Sequence, residues 1–75
     1  MVNTKEIRKR MVDYDLTTAE LADRIGMTPS YVGAVIANKK PLTLKTAEKI
    51  QSALSIRDDD FGHYFLSGSR KTEQL

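Results

Sequence analysis

At 75 residues the chain has room for one small domain, with a core only a few layers of side chains deep. The absence of cysteine excludes disulfides and thiolate metal sites and fits a reducing cytoplasm, and no apolar run approaches the length of a membrane span or a secretory signal. A net charge of +2 says little by itself, but residues 1–12 sum to +3, 13–23 to −4, 24–57 to +5 and 58–75 to −2. That uneven placement leaves basic stretches able to steer toward phosphate while the total stays moderate.

The first helix is predicted from Asn3 or Thr4 to Tyr14, with Ile7, Met11 and Tyr14 as its buried stripe. Its other faces carry Lys5, Arg8, Lys9 and Arg10, read either as a solvated face or as one or two phosphate contacts. A second helix opens at Thr17, which forms a capping box with Glu20 and is stapled by Leu16 and Leu21. Gly26 ends it, because an abrupt stop needs a left-handed backbone that glycine adopts without steric penalty. Thr28 then caps a third helix with Pro29 at its first position, and Ala22 is the small residue where two steeply crossing helices nearly touch.

Val32, Val35 and Ile36 are expected to point inward from the third helix. Asn38, Lys39, Lys40 and Pro41 make the next turn, with Asn38 in the left-handed conformation that asparagine tolerates best after glycine. The fourth helix is expected from Thr43, burying Leu44, Ala47, Ile50, Ala53 and Leu54 and exposing Lys45 and Lys49. A last helix follows Ile56, capped by Asp58, with Asp59 and Asp60 in its first turn. Phe61 is assigned to the core, and Tyr64, Phe65 and Leu66 are left for a partner subunit. Asp59 and His63 make too few ligands for a metal, and residues 67–75, with Arg70 and Lys71, read as a flexible tail.

The run TAELADRIGMTPSYVGAVIA at 18–37, with NKKPLTLKTAEKI at 38–50 and ALSI at 53–56, resembles the Cro-like and phage-repressor-like helix-turn-helix family, from about Ile7 to about Phe61. The resemblance implies an all-α, compact five-helix, lambda-repressor-like DNA-binding domain over residues 1–66. Members belong to prokaryotes and their phages. It places Pro29, Ser30, Gly33 and Ala34 toward base edges in the major groove, and Thr18, Thr28, Tyr31, Lys39 and Lys40 toward phosphates. Tyr31 can equally pack on the domain with its hydroxyl wet. None of the four base-facing positions is Arg, Asn or Gln, so specificity is expected to be moderate and to draw on Ser30, thymine methyls, the lysines or DNA shape.

Two departures from the family pattern stand out. Where relatives have glycine, this chain has Asn38; where many pair an arginine in the first helix with a glutamate in the third, it has Met11 and Ile36, which are expected to touch. The function implied is a sequence-specific regulator of transcription, a Cro-like phage or prophage repressor that binds double-stranded DNA as a homodimer. No cofactor, metal, membrane or small-molecule ligand is expected, and one histidine without cysteine or a recognisable catalytic set argues against an enzyme. The alternative is a protein-interaction module on the same fold, antirepressor-like or antitoxin-like, whose partner is another regulator protein.

Overall fold

The start and stop signals decide the architecture. The computed structural model describes residues 1–66, in which α1 spans Thr4–Asp13, α2 Thr18–Ile25, α3 Pro29–Ile36 and α4 Leu44–Ala53; a 3-10 turn at Asp58–Asp60 runs directly into a short α5, Phe61–Phe65. No strand occurs among the described residues. The expected tail, residues 67–75, lies outside them.

Each of the four longer helices opens on a side-chain cap. Asn3 Oδ1 accepts the Glu6 N–H at 3.4 Å, Thr28 Oγ1 that of Tyr31 at 3.2 Å, and Thr43 Oγ1 that of Thr46 at 3.1 Å. At α2 the capping box is complete: the Glu20 N–H donates to Thr17 Oγ1 at 3.1 Å, and the Thr17 N–H donates to Glu20 Oε1 at 2.9 Å. These bonds hold the glutamate as a carboxylate. Glu20 is therefore pushed below its ordinary value, first by the Thr17 backbone N–H, then by the Thr17 hydroxyl, with a smaller contribution from Arg24.

The same four helices also end alike. A residue with φ between +52° and +72° follows each one: Asp15, Gly26, Asn38 and Ser55. The next N–H then returns to a carbonyl of the last turn, Leu16 to Met11, Met27 to Ala22, Lys39 to Ala34 and Ile56 to Gln51, at 2.8–2.9 Å. Gly26 and Asn38 are legible as left-handed positions, whereas Ser55 carries no such signal and Asp15 only the weaker one of an aspartate.

Ile7, Met11, Leu21, Ala22, Val32, Val35, Ile36, Ala47, Ile50 and Leu54 meet in one core, as the helical spacing predicts. Met11 and Ile36 both belong to it. Other assignments require correction. Tyr14 is 41% exposed, because α1 stops at Asp13 and the left-handed turn at Asp15 sends Leu16 into the core instead; its ring lies 5.3 Å beneath the Arg10 guanidinium. Leu44 is 67% exposed, since the buried stripe of α4 centres on Thr46, Ala47 and Ile50 and the first-turn leucine falls outside it. Ala53 is only half-buried.

The C-terminal aromatics exchange roles. Asp58 opens a 3-10 turn without a side-chain cap and instead accepts from Gln51 Nε2 at 2.7 Å. One turn further on, Phe65 is completely buried, so it is a core residue and not a free subunit contact. Phe61 is half-buried against it, with ring centroids 4.8 Å apart, and Tyr64 also packs on the core. Leu66, 48% exposed, is the one of the three expected contact residues that faces outward.

Two long-range contacts, one made by the first residues and one by Arg10, are announced by no local pattern. Val2 is buried, and Asn3 donates its N–H to the Tyr64 carbonyl at 2.7 Å, which straps the first residues across α5. Arg10 donates from Nε to the Leu54 carbonyl at 2.9 Å and from Nη2 to the Ser55 carbonyl at 2.7 Å, closing the C-terminus of α4. Thr46, buried among apolar neighbours, is satisfied by the Thr43 hydroxyl at 3.0 Å.

Candidate nucleic-acid interface

The tight turn at Gly26 brings the N-terminal half of α3 to the surface. Thr28 and Pro29 set its first turn, so three N–H groups at this helix start are a capped donor, a missing one and a free-standing one in an otherwise exposed segment; Pro29 and Ser30 are exposed, while Gly33 and Ala34 are half-buried. Val32, Val35 and Ile36 anchor the opposite side in the core. The helix is thus fixed by one face and open along its beginning.

Thr18 belongs to the same surface. A Cβ placed on Gly33 would lie 3.7 Å from Thr18 Cγ2, so the start of α2 sits over the middle of α3. Gly33 therefore faces the α2 start, and its lack of a side chain leaves room there. Thr28 spends its oxygen on the Tyr31 N–H and retains its hydroxyl proton for donation. Tyr31 is half-buried, its ring against the core and its hydroxyl 3.5 Å from Thr46 Oγ1 on α4. The packed reading of this tyrosine describes its position in the free chain.

Lys39 and Lys40 follow the C-terminus of α3 and are exposed. Both backbone N–H groups are spent on the Ala34 carbonyl, at 2.8 and 3.3 Å, so only the ammonium groups remain to meet a ligand. Among the described residues Arg57 pairs with Asp59 at 3.3 Å and His63 Nε2 lies 3.6 Å from Glu6 Oε1, and neither contact engages these lysines. Those contacts also give Asp59 and His63 different partners. Lys5, Arg8, Lys9 and Lys45 are exposed, but Arg10 is committed to the end of α4 and is not a free cation.

Sequence reasoning missed Val2, Thr4 and the side chain of Asn38. Val2 donates its N–H to Asn38 Oδ1 at 2.9 Å, and Asn38 Nδ2 donates to the Val2 carbonyl at 2.9 Å and to Thr4 Oγ1 at 3.3 Å. The Thr4 hydroxyl donates in turn to the carbonyl of Ile36, the last residue of α3. An amide at a left-handed position is a signal that it has chemistry to offer, but its partners lie 36 and 34 residues away.

Two capped helices packed across a glycine turn, the second with an open first half and two free lysines behind it, define a helix-turn-helix domain of the DNA-binding class. Residues 5–61 match the family model described as helix-turn-helix, and the chain belongs to that family, of XRE type. This membership supports a DNA-binding regulator. No curated protein and no solved structure matches the chain. No helix among the described residues is long and apolar enough to cross a membrane.

Proposed function

We propose that this chain is a sequence-specific transcriptional regulator, a Cro-like phage or prophage repressor that binds duplex DNA as a homodimer with α3 in the major groove. The carrying observation is the exposed start of α3, with Pro29 and Ser30 open, and beyond its other end two lysines that no carboxylate among the described residues pairs with. Ser30 bonds base edges, and Pro29 and Ala34 touch thymine methyls. Gly33 permits close approach of the helix. Lys39 and Lys40 hold phosphates, aided by Thr18, Thr28 and the Tyr31 hydroxyl once it turns from Thr46.

This reading draws little discrimination from each subunit, because a bidentate base contact contributes about 1–3 kcal/mol and the four base-facing residues form none. Pairing two subunits on one site supplies what each lacks. The subunit contact is assigned to Leu66 together with Leu44, both exposed, with Tyr64 at its edge and Phe65 supporting it from the core.

Selection from a randomised duplex pool tests the proposal. A two-fold symmetric site with half-sites about 10 base pairs apart supports it. Retention of nothing beyond the input composition overturns it in favour of the protein-interaction module, with the Leu44 and Leu66 surface as the place to look.

A further inference from the structure

The four longer helices share one ending, yet the third is held differently. After α1, α2 and α4 the residue beyond the left-handed position is apolar and turned inward: Leu16 and Ile56 are buried, and Met27 packs against the core. Such a contact ordinarily pins this kind of helix end. After α3 the corresponding residue is Lys39, which is exposed and followed by exposed Lys40 and Pro41. No hydrophobic burial holds the turn at these positions.

The Asn38 side chain stands in that place. Its amide closes a two-way bridge with the Val2 backbone, 2.9 Å in each direction, and touches the Thr4 hydroxyl that closes the end of α3. The first residues are themselves fastened, by burial of Val2 and by the Asn3 bond to Tyr64. Asp15 and Ser55 share the left-handed backbone, but their side chains make no hydrogen bond among the described residues. Glycine can satisfy the backbone at position 38 and cannot make any of these bonds.

We propose that Asn38 is a positioning residue for DNA-backbone recognition: it clamps the turn to the N-terminal segment so that Lys39 and Lys40 are ordered before DNA arrives. The proposal rests on the reading that these lysines meet phosphates. With the turn ordered in advance, its conformational entropy is not lost on binding.

The test compares Asn38→Gly with Asp15→Gly and Ser55→Gly, which make the same backbone exchange without losing a clamp, and with Lys39→Ala/Lys40→Ala. Each is titrated with a random-sequence duplex of about 30 base pairs, three helical turns, over a range of salt concentrations. Asn38→Gly is expected to bind roughly tenfold more weakly at every salt concentration with the salt slope intact, since the lysines still reach phosphates but must be ordered to do so. The double lysine variant flattens the slope by about 1.8, the charge-neutral control Ser55→Gly binds like the wild type, and Asp15→Gly, which also removes a carboxylate, binds no more weakly than the wild type. Amide hydrogen exchange without DNA reads the clamp directly: the Lys39 and Lys40 N–H groups exchange faster in Asn38→Gly and at the wild-type rate in both controls. Thr4→Val, which removes the hydroxyl between Asn38 and Ile36, shifts exchange and affinity the same way by a smaller factor and carries the test if Asn38→Gly does not fold.

Wild-type affinity in a folded Asn38→Gly, or unchanged exchange at Lys39 and Lys40, overturns the proposal. A wild-type salt slope in the double lysine variant overturns it through its premise, and the exchange data separate that failure from failure of the clamp.

Discussion

Gly33→Ala separates what α3 needs to fold from what it needs to bind. The glycine lies inside the helix with an ordinary helical backbone, so its conformational freedom is not used. A methyl added there meets Thr18 Cγ2 at 3.7 Å, an ordinary contact distance, and nothing has to move. Alanine is favoured over glycine in a helix interior by about 0.8–1.0 kcal/mol, and in a domain of this size 1 kcal/mol corresponds to about 4–8 °C in Tm. Thermal melts followed by circular dichroism should therefore show a rise of a few degrees. A lower Tm would refute the packing argument, since it would mean that α2 and α3 lie too close for the methyl. DNA affinity measured on the same variant reads the other requirement. Weaker binding by a more stable domain would show that the absent side chain makes room for the duplex, and unchanged binding would remove Gly33 from the contact surface.

Phe65→Ala should cost about 3–5 kcal/mol, as expected for a fully buried phenylalanine; a denaturant midpoint close to that of the wild type would return this residue to the surface. Arg10→Met keeps much of the side-chain stem but leaves the Leu54 and Ser55 carbonyls without their charged donor, at a cost of about 1.5–3 kcal/mol; a melt within a degree of the wild type would show that water replaces it. Glu20 is held below its ordinary value of 4.5, so its contribution to stability is present above that pH and is lost as pH falls through the lower, folded-state value. Glu20→Gln should remove this acid-side loss without abolishing the cap, and an unaltered stability profile below pH 4.5 would assign the acid sensitivity to other carboxylates.

The parts of the fold that were legible in the sequence are those whose cause lies within one helix turn. Thr17 with Glu20, Thr28 before Pro29, Gly26 and Asn38 each satisfy or end a local hydrogen-bond pattern, and neighbouring residues suffice to read them. The misplacements have a different origin. Tyr14 keeps helical phase with Met11, and Leu44 with Ala47, but phase matters only while the helix continues and the facing wall is present. The aromatic segment depends on the phase set by a 3-10 turn, which Asp58 does not announce as a helix cap would. Arg10 looked like part of a basic face because its acceptors, Leu54 and Ser55, lie 44 and 45 residues away.

Asn38 contains both kinds of information in one residue. Its backbone was readable because a helix must stop before Lys39, whereas its amide was not, because its partners at Val2 and Thr4 lie 36 and 34 residues away. The two halves have different consequences for recognition. At three helix ends the chain pins the turn by packing the next residue onto the core, with Leu16 and Ile56 buried and Met27 half-buried, which spends that residue on the fold. At the end of α3 the next residue is kept outside, so the pinning must come from a side chain that consumes no exposed charge. An amide hydrogen-bonded to backbone meets that requirement, since it holds the turn through neutral bonds and leaves both ammonium groups free. A carboxylate at the same position would accept from Val2 but would set a negative charge beside Lys39 and could not donate to the Val2 carbonyl. Asparagine thus meets the conformational and the electrostatic requirement together, where glycine meets the first alone.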